Sequence, residues 1–209
     1  MLKLLPILLS AVVNITNVNI FEIEGIFSSG HINALERYIE EVEQEENNLL
    51  IIQYNASDVN ENSVIELKKI LAKIDIPKAI WVGPNKTDID ISILKNFDYI
   101  GLSPGTTITT KEGFSALGEI CKINSCEDEI AIITAEEDIY RDYLVVGSIG
   151  AFVENIGSQD ISSILRPLSL SFNLSSDEID QIRFIKPSLF ERFYISISNP
   201  VFTYLFFAL

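Results

Sequence analysis

Apolar residues in the first half of the chain fall into short continuous runs, separated by segments in which they recur at helical spacing. Val18-Asn19-Ile20-Phe21-Glu22-Ile23 alternates as a strand does, and Glu24-Gly25 is read as its end. Ile32, Leu35, Tyr38, Ile39 and Val42 lie on one face of a helix expected over about 32–45, and the run Leu49-Leu50-Ile51-Ile52 is a second strand. Val64, Leu67, Ile70, Leu71 and Ile74 mark another amphipathic helix, with Ser63 as its expected N-cap and Pro77 as its stop. Residues 76–106 then read as a buried strand (79–82), a Pro-Asn turn, a short helical piece and a second strand (99–102), closed by Ser-Pro-Gly-Thr. Apolar runs of this length between helices belong to a parallel sheet covered on both faces, joined by right-handed crossovers. The fold class is α/β.

The second half is less regular. Residues 129–133 are strand-like, and Thr134-Ala135-Glu136-Glu137 has the form of a capping box. Val145-Val146-Gly147 and Ala151-Phe152-Val153 read as a closing strand and helix. A serine-rich linker with one extended piece at 168–174 follows, then a helix SLFERFYISISN, and Asn199-Pro200 opening an apolar run to Leu209. At the other end, LLPILLSAVV suits the core of a signal peptide or an N-terminal anchor, and falls short of the ~20 residues of a spanning helix. The expected organisation is an N-terminal signal or anchor at 1–16, an α/β domain at 17–157, a linker at 158–186, and a membrane-proximal helix with a partial transmembrane segment at 187–209.

Charge narrows the partners. The net charge is −15 over 209 residues, which repels phosphate backbones and argues against nucleic acid. Glu36, Glu40, Glu41, Glu43, Glu45 and Glu46 cluster on the polar face of the first helix, where a solvated surface explains them. Cys121 and Cys126 have no nearby ligand set for zinc, and His31 is the only histidine, so neither a metal site nor a Ser-His-Asp triad is expected. No dinucleotide or phosphate-binding glycine motif occurs, and no cofactor is expected.

The stretch around Ala79-Ile80-Trp81-Val82 and Leu102-Ser103-Pro104-Gly105-Thr106 resembles the NfeD-type membrane-anchored serine proteases, a ClpP-like, crotonase-fold family. In that family such a strand leads through Ala-Ser-Ala-Gly, which carries the nucleophile, to a strand ending Met-Ala-Pro-Gly-Thr. Ile23-Glu24-Gly25-Ile26, Thr134 to Glu137 and Asn199 to Tyr204 are similar to further family patterns. The resemblance implies a ClpP-like (crotonase-type) ββα spiral domain with a short C-terminal helix entering the membrane. It implies an extracytoplasmic domain at the cell membrane, homo-oligomers, and a stomatin-like membrane protein, or its hydrophobic C-terminal peptide, as partner.

The family's chemistry rests on a Ser-Lys dyad and a Pro-Gly-Gly loop that aims N–H groups at the oxyanion. Here the loop position reads Asn55-Ala56-Ser57-Asp58-Val59, and the nucleophile segment reads Asn85-Lys86-Thr87-Asp88-Ile89-Asp90-Ile91. An aspartate there opposes the developing negative charge. Ser92 is the nearest serine to the expected corner and is read as a helix N-cap or surface hydroxyl; Lys86 and Lys111 are the candidate lysines, and neither matches the family's. The expectation is a non-catalytic relative, a pseudoenzyme, that binds a peptide in a groove walled by Asn55, Ser57, Asp58, Pro84, Asn85 and Lys86. The rival reading is a working endopeptidase that recruits Ser92 or Ser57 to cleave hydrophobic segments of a membrane protein.

Overall fold

The computed structural model describes residues 13–84, 88–110, 131–134, 143–156, 172–173, 181–185 and 187–197. Its centre is a parallel sheet in the order β11-β2-β3-β4-β6-β9. The strands are β2 (Asn17–Phe27), β3 (Asn48–Val59), β4 (Lys78–Val82), β6 (Tyr99–Leu102), β9 (Leu144–Val145) and β11 (Gln181–Ile185). From β2 to β9 each strand is added on the same side of the last, without the reversal that defines a doubly wound sheet. Right-handed crossovers that always step the same way put their helices on one face. Accordingly α1 (Ser29–Val42), α2 (Glu61–Leu71) and α3 (Ile91–Leu94) all pack into one core with Phe21, Ile23, Leu50, Ile52, Ile80 and Leu102.

The other face carries Val18, Ile20, Leu49, Ile51, Ala79 and Trp81, covered by Phe152, Val153 and Ile156 of α4 (Ile149–Ile156). Leu49-Leu50-Ile51-Ile52 thus feeds both cores alternately, which is why the run is apolar without a break. Phe152 lies so close to Gly101 that a Cβ there would overlap its ring. A smaller sheet, β5-β7-β8, stands apart from the main one. Its strands are β5 (Asp88–Asp90), β7 (Thr107–Thr110) and β8 (Ala131–Thr134), with β5 parallel and β8 antiparallel to β7. Two short strands, β1 (Val13–Asn14) and β10 (Phe172–Asn173), pair with each other.

Several boundaries differ from the sequence reading. β2 does not stop at Glu24-Gly25; Gly25 takes φ +74° and the strand continues to Phe27. Asn60, not Ser63, caps α2, its side chain accepting from the Asn62 amide at 2.9 Å, while Ser63 is buried inside the first turn. Gln181–Ile185, within the segment read as a linker, pairs along β2 as the edge of the main sheet. The C-terminal helix is found as α5 (Leu189–Ile197). Ser188 and Glu191 close its first turn reciprocally, the Ser188 amide donating to Glu191 Oε2 at 2.6 Å and the Glu191 amide to Ser188 Oγ at 3.4 Å. It packs on α1 where a Cβ at Gly30 would meet Ile195 at 2.8 Å. Among the described residues no helix is long and apolar enough to cross a membrane. The apolar run after Pro200, the N-terminal segment 1–12, both cysteines and residues 135–137 lie outside the described residues.

Candidate functional site

The carboxyl ends of β3 and β4 form the corner where the resemblance places the catalytic machinery. The ladder holds Tyr54 opposite Val82, and the Gly83 amide donates to Tyr54 O at 3.0 Å. On the far side Ser103 ties the same corner to β6, its amide and hydroxyl both donating to Val82 O, at 2.9 and 2.8 Å. Asn55 follows Tyr54 and is 8% exposed; its side chain presses on the Cα of Gly83, leaving no room for a Cβ. Its Oδ1 has no hydrogen-bond partner.

Beyond Asn55 the chain does not loop. β3 runs on beside β2, with Asn55 opposite Glu24, Ala56 opposite Gly25, Asp58 opposite Ile26 and Val59 opposite Phe27. Ser57 is the extra residue of a bulge in this ladder. Ser57 and Asp58 are exposed, and Asp58 Oδ1 accepts from the Val59 amide at 2.8 Å. No residue from Asn55 to Val59 has a positive φ. A segment in extended register against a neighbouring strand lacks the turned backbone that presents successive N–H groups to one oxygen. The corner thus brings together Asn55 and Gly83, with Pro84 exposed beside them; Asn85, Lys86 and Lys111 lie outside the described residues.

Ser92 sits elsewhere on the frame, in the first turn of α3. It is not the N-cap: Asp90 is, its Oδ1 accepting from the Ser92 amide at 2.7 Å. Asp90 stands one position before the helix, where a side-chain oxygen reaches the amide two residues on, and its negative charge strengthens that bond. Ser92 O accepts from Asn96 Nδ2 at 2.7 Å. The hydroxyl is met by a lysine, Lys68 of α2, whose Nζ donates to Ser92 Oγ at 2.6 Å. Sequence reasoning missed Lys68, which lies in the last turn of α2, 24 positions before the serine, with no local motif to mark it.

A Ser-Lys pair is half of a peptidase centre. The other half is a pair of donors aimed at the oxyanion, and here the Ser92 amide is committed to a carboxylate. Asp90 also places negative charge beside any oxyanion formed at Ser92. The Lys68–Ser92 contact supplies the geometry of a base beside a nucleophile and nothing of the oxyanion site that acyl transfer also needs.

His31 is equally settled in a structural role. It is buried, with Nδ1 accepting from the Ser28 amide at 3.4 Å, and burial depresses its pKa to about 4, against a smaller opposing effect of a hydrogen bond to the Glu24 backbone. Among the described residues no cluster of acidic, histidine or cysteine side chains could hold a metal.

No protein-family model matches the chain, and no curated protein matches it. Solved structures do. The 1510-N membrane protease specific for a stomatin homolog from Pyrococcus horikoshii is similar over 88% of this chain and 99% of its own, at 17% identity and TM-score 0.59. A mutant of the same membrane-bound stomatin-specific protease in complex with a substrate peptide is similar over 88% and 99%, at 16% identity and TM-score 0.57. A further mutant of the 1510-N membrane-bound stomatin-specific protease is similar over 83% of this chain and 99% of its own, at 17% identity and TM-score 0.56. The fold of this chain is that of the 1510-N membrane protease, an α/β architecture with a parallel sheet, the class that the sequence implied.

Proposed function

We propose that the chain is a membrane-associated relative of the NfeD-type serine proteases that has lost catalysis and acts as a peptide-binding module. The observation that carries this reading is the continuation of β3 through Asn55–Val59 as a paired strand, where the resemblance expects the oxyanion loop. The groove begins at the corner where Asn55 meets Gly83 and Pro84 and runs toward the exposed Ser57 and Asp58 of β3; Asn85 and Lys86, which the sequence assigns to its other wall, lie outside the described residues. Its ligand is a hydrophobic segment of a membrane protein, and a stomatin-like protein is the partner to test, since the relative is described as specific for a stomatin homolog. The domain acts at the cell membrane, on its extracytoplasmic side, as a homo-oligomer.

The second reading, an active serine endopeptidase, is favoured by one contact, Lys68 Nζ to Ser92 Oγ at 2.6 Å. A fluorophosphonate serine probe read by intact mass separates the two. The pseudoenzyme gives no adduct and binds a hydrophobic C-terminal peptide of a stomatin-like protein with the same affinity in the parent and Ser92→Ala proteins. A stoichiometric adduct that disappears in Ser92→Ala overturns this reading, because it requires a working nucleophile.

A further inference from the structure

We infer that α5 lies on a lipid surface, with Phe190 and Phe193 as the side chains that enter it. This rests on the membrane association proposed above and assigns the contact to one face of one helix. Phe190 is 82% exposed and Phe193 56% exposed, three positions apart and so on neighbouring parts of one helical surface. The opposite face is occupied: Ile195 packs at Gly30, and Glu191 binds Arg37 of α1 through Nε at 3.1 Å and Nη2 at 3.2 Å. The helix is thus fixed to the domain by one side and presents two phenyl rings on the other.

Two features single out a bilayer as the occupant. The first is continuity along the sequence, since α5 is followed by Asn199-Pro200 and the apolar run VFTYLFFAL, the stretch of the chain best suited to hydrocarbon. The second is charge. Residues 181–209 carry Arg183, Lys186 and Arg192 against Glu191, a net +2, which leaves −17 of the total −15 on residues 1–180. In a strongly acidic chain this stretch, net positive and rich in aromatics, is the part least repelled by an anionic headgroup layer, although Arg183 is itself paired with Glu45. A soluble apolar partner does not account for the charge asymmetry.

Brominated-lipid quenching of tryptophan tests the assignment in the full chain, on vesicles of equal parts phosphatidylcholine and phosphatidylglycerol. The native Trp81 is buried and serves as an internal unquenched signal. Phe193→Trp places a reporter on α5; Ile65→Trp, at the 51%-exposed position on α2, is the control. The expected result is blue-shifted, quenched emission from Phe193→Trp alone, together with a roughly tenfold weaker vesicle affinity for Phe190→Ser/Phe193→Ser. Quenching at Ile65→Trp instead, or at neither position while the protein sediments with vesicles, overturns the α5 assignment and leaves membrane association standing. A parent chain that does not sediment with vesicles overturns both.

Discussion

At the scale of single residues, polar groups inside the sheet fix its geometry. Asn19 and Asn48, on adjacent strands, are fully buried and linked, Asn19 Nδ2 donating to Asn48 Oδ1 at 2.8 Å. Tyr38 Oη donates to Asn19 Oδ1 at 2.8 Å, and Asn48 Nδ2 reaches Val42 O and Glu45 O, each at 2.8 Å. Every polar atom named has a partner, so the network ties the end of α1 to β2 and β3 without an unpaired charge. Burial pushes the Tyr38 hydroxyl up to about 12, with Arg183 opposing and Glu45 and Glu41 reinforcing, so it stays a donor. Asn19→Leu leaves Asn48 Oδ1 and Tyr38 Oη without partners at once and is expected to cost about 2–4 kcal/mol in urea unfolding, against about 1 kcal/mol for Tyr38→Phe. Equal losses would mean that the network is not coupled through Asn19.

His31 gives a pH dependence whose sign follows from its burial. Its native pKa of about 4 lies below the ordinary 6.5, so between these values the unfolded chain binds a proton that the native chain does not. Stability contributed by the neutral imidazole is full above about pH 6.5 and is lost as pH falls toward 4, in total roughly 3 kcal/mol. Replacing it by His31→Gln removes the titration and keeps a polar side chain beside the Ser28 amide. The stability gap between parent and variant is therefore expected to narrow as pH is lowered from 7 to 4. A gap that stays constant shows that His31 does not carry the linkage.

At the scale of elements, sequence and structure agree where packing decides and part where a single hydrogen bond decides. The strand Tyr99–Leu102 was legible to the residue, and the strand read over 79–82 lengthened by only Lys78, because their apolar runs are bounded by turn residues on both sides. Caps were misplaced: Asn60 and Asp90 stand before helices that offer several polar residues in succession, and only backbone geometry selects among them. The extension of β3 was hidden for a related reason, since Asn55-Ala56-Ser57-Asp58 has turn composition yet is held extended by β2. The pairing of Lys68 with Ser92 joins two helices and leaves no trace in local sequence. α5 shows how much one cap can matter. Burial alone would raise the Glu191 carboxyl, but hydrogen bonds from Ser188 and Arg37 hold it below the usual range. Glu191→Ala removes the reciprocal cap and the tie to α1 together. Amide exchange across α5 is expected to accelerate about tenfold, with α1 little changed; uniform acceleration through both helices would show instead that α5 is part of the global unfolding unit.

At the scale of the whole molecule, charge sets how the fold responds to its surroundings. Acidic residues outnumber basic ones 30 to 15, and six of the acids lie within the eleven positions from Glu36 to Glu46. Among the described residues, Glu41 pairs with Arg37 at 3.2 Å and Glu45 with Arg183 at 2.8 Å, and both pairs are substantially exposed. Exposed pairs contribute about 0–1 kcal/mol each and weaken in salt. Repulsion among the surplus carboxylates weakens too, and it involves many more charges spread over the same surface. The two effects oppose each other, and the excess of acid decides the sign. Raising ionic strength from ~0.02 M to ~0.5 M should therefore stabilise the protein by about 1 kcal/mol, a rise of roughly 2–4 °C in Tm for a chain of this size. The same salt should loosen the attraction of the net-positive C-terminal end for anionic vesicles while leaving the apolar contact of Phe190 and Phe193 in place. A fall in Tm with salt would show that the ion pairs around α1 outweigh the repulsion, and that the acidic face of α1 is held together by its partners.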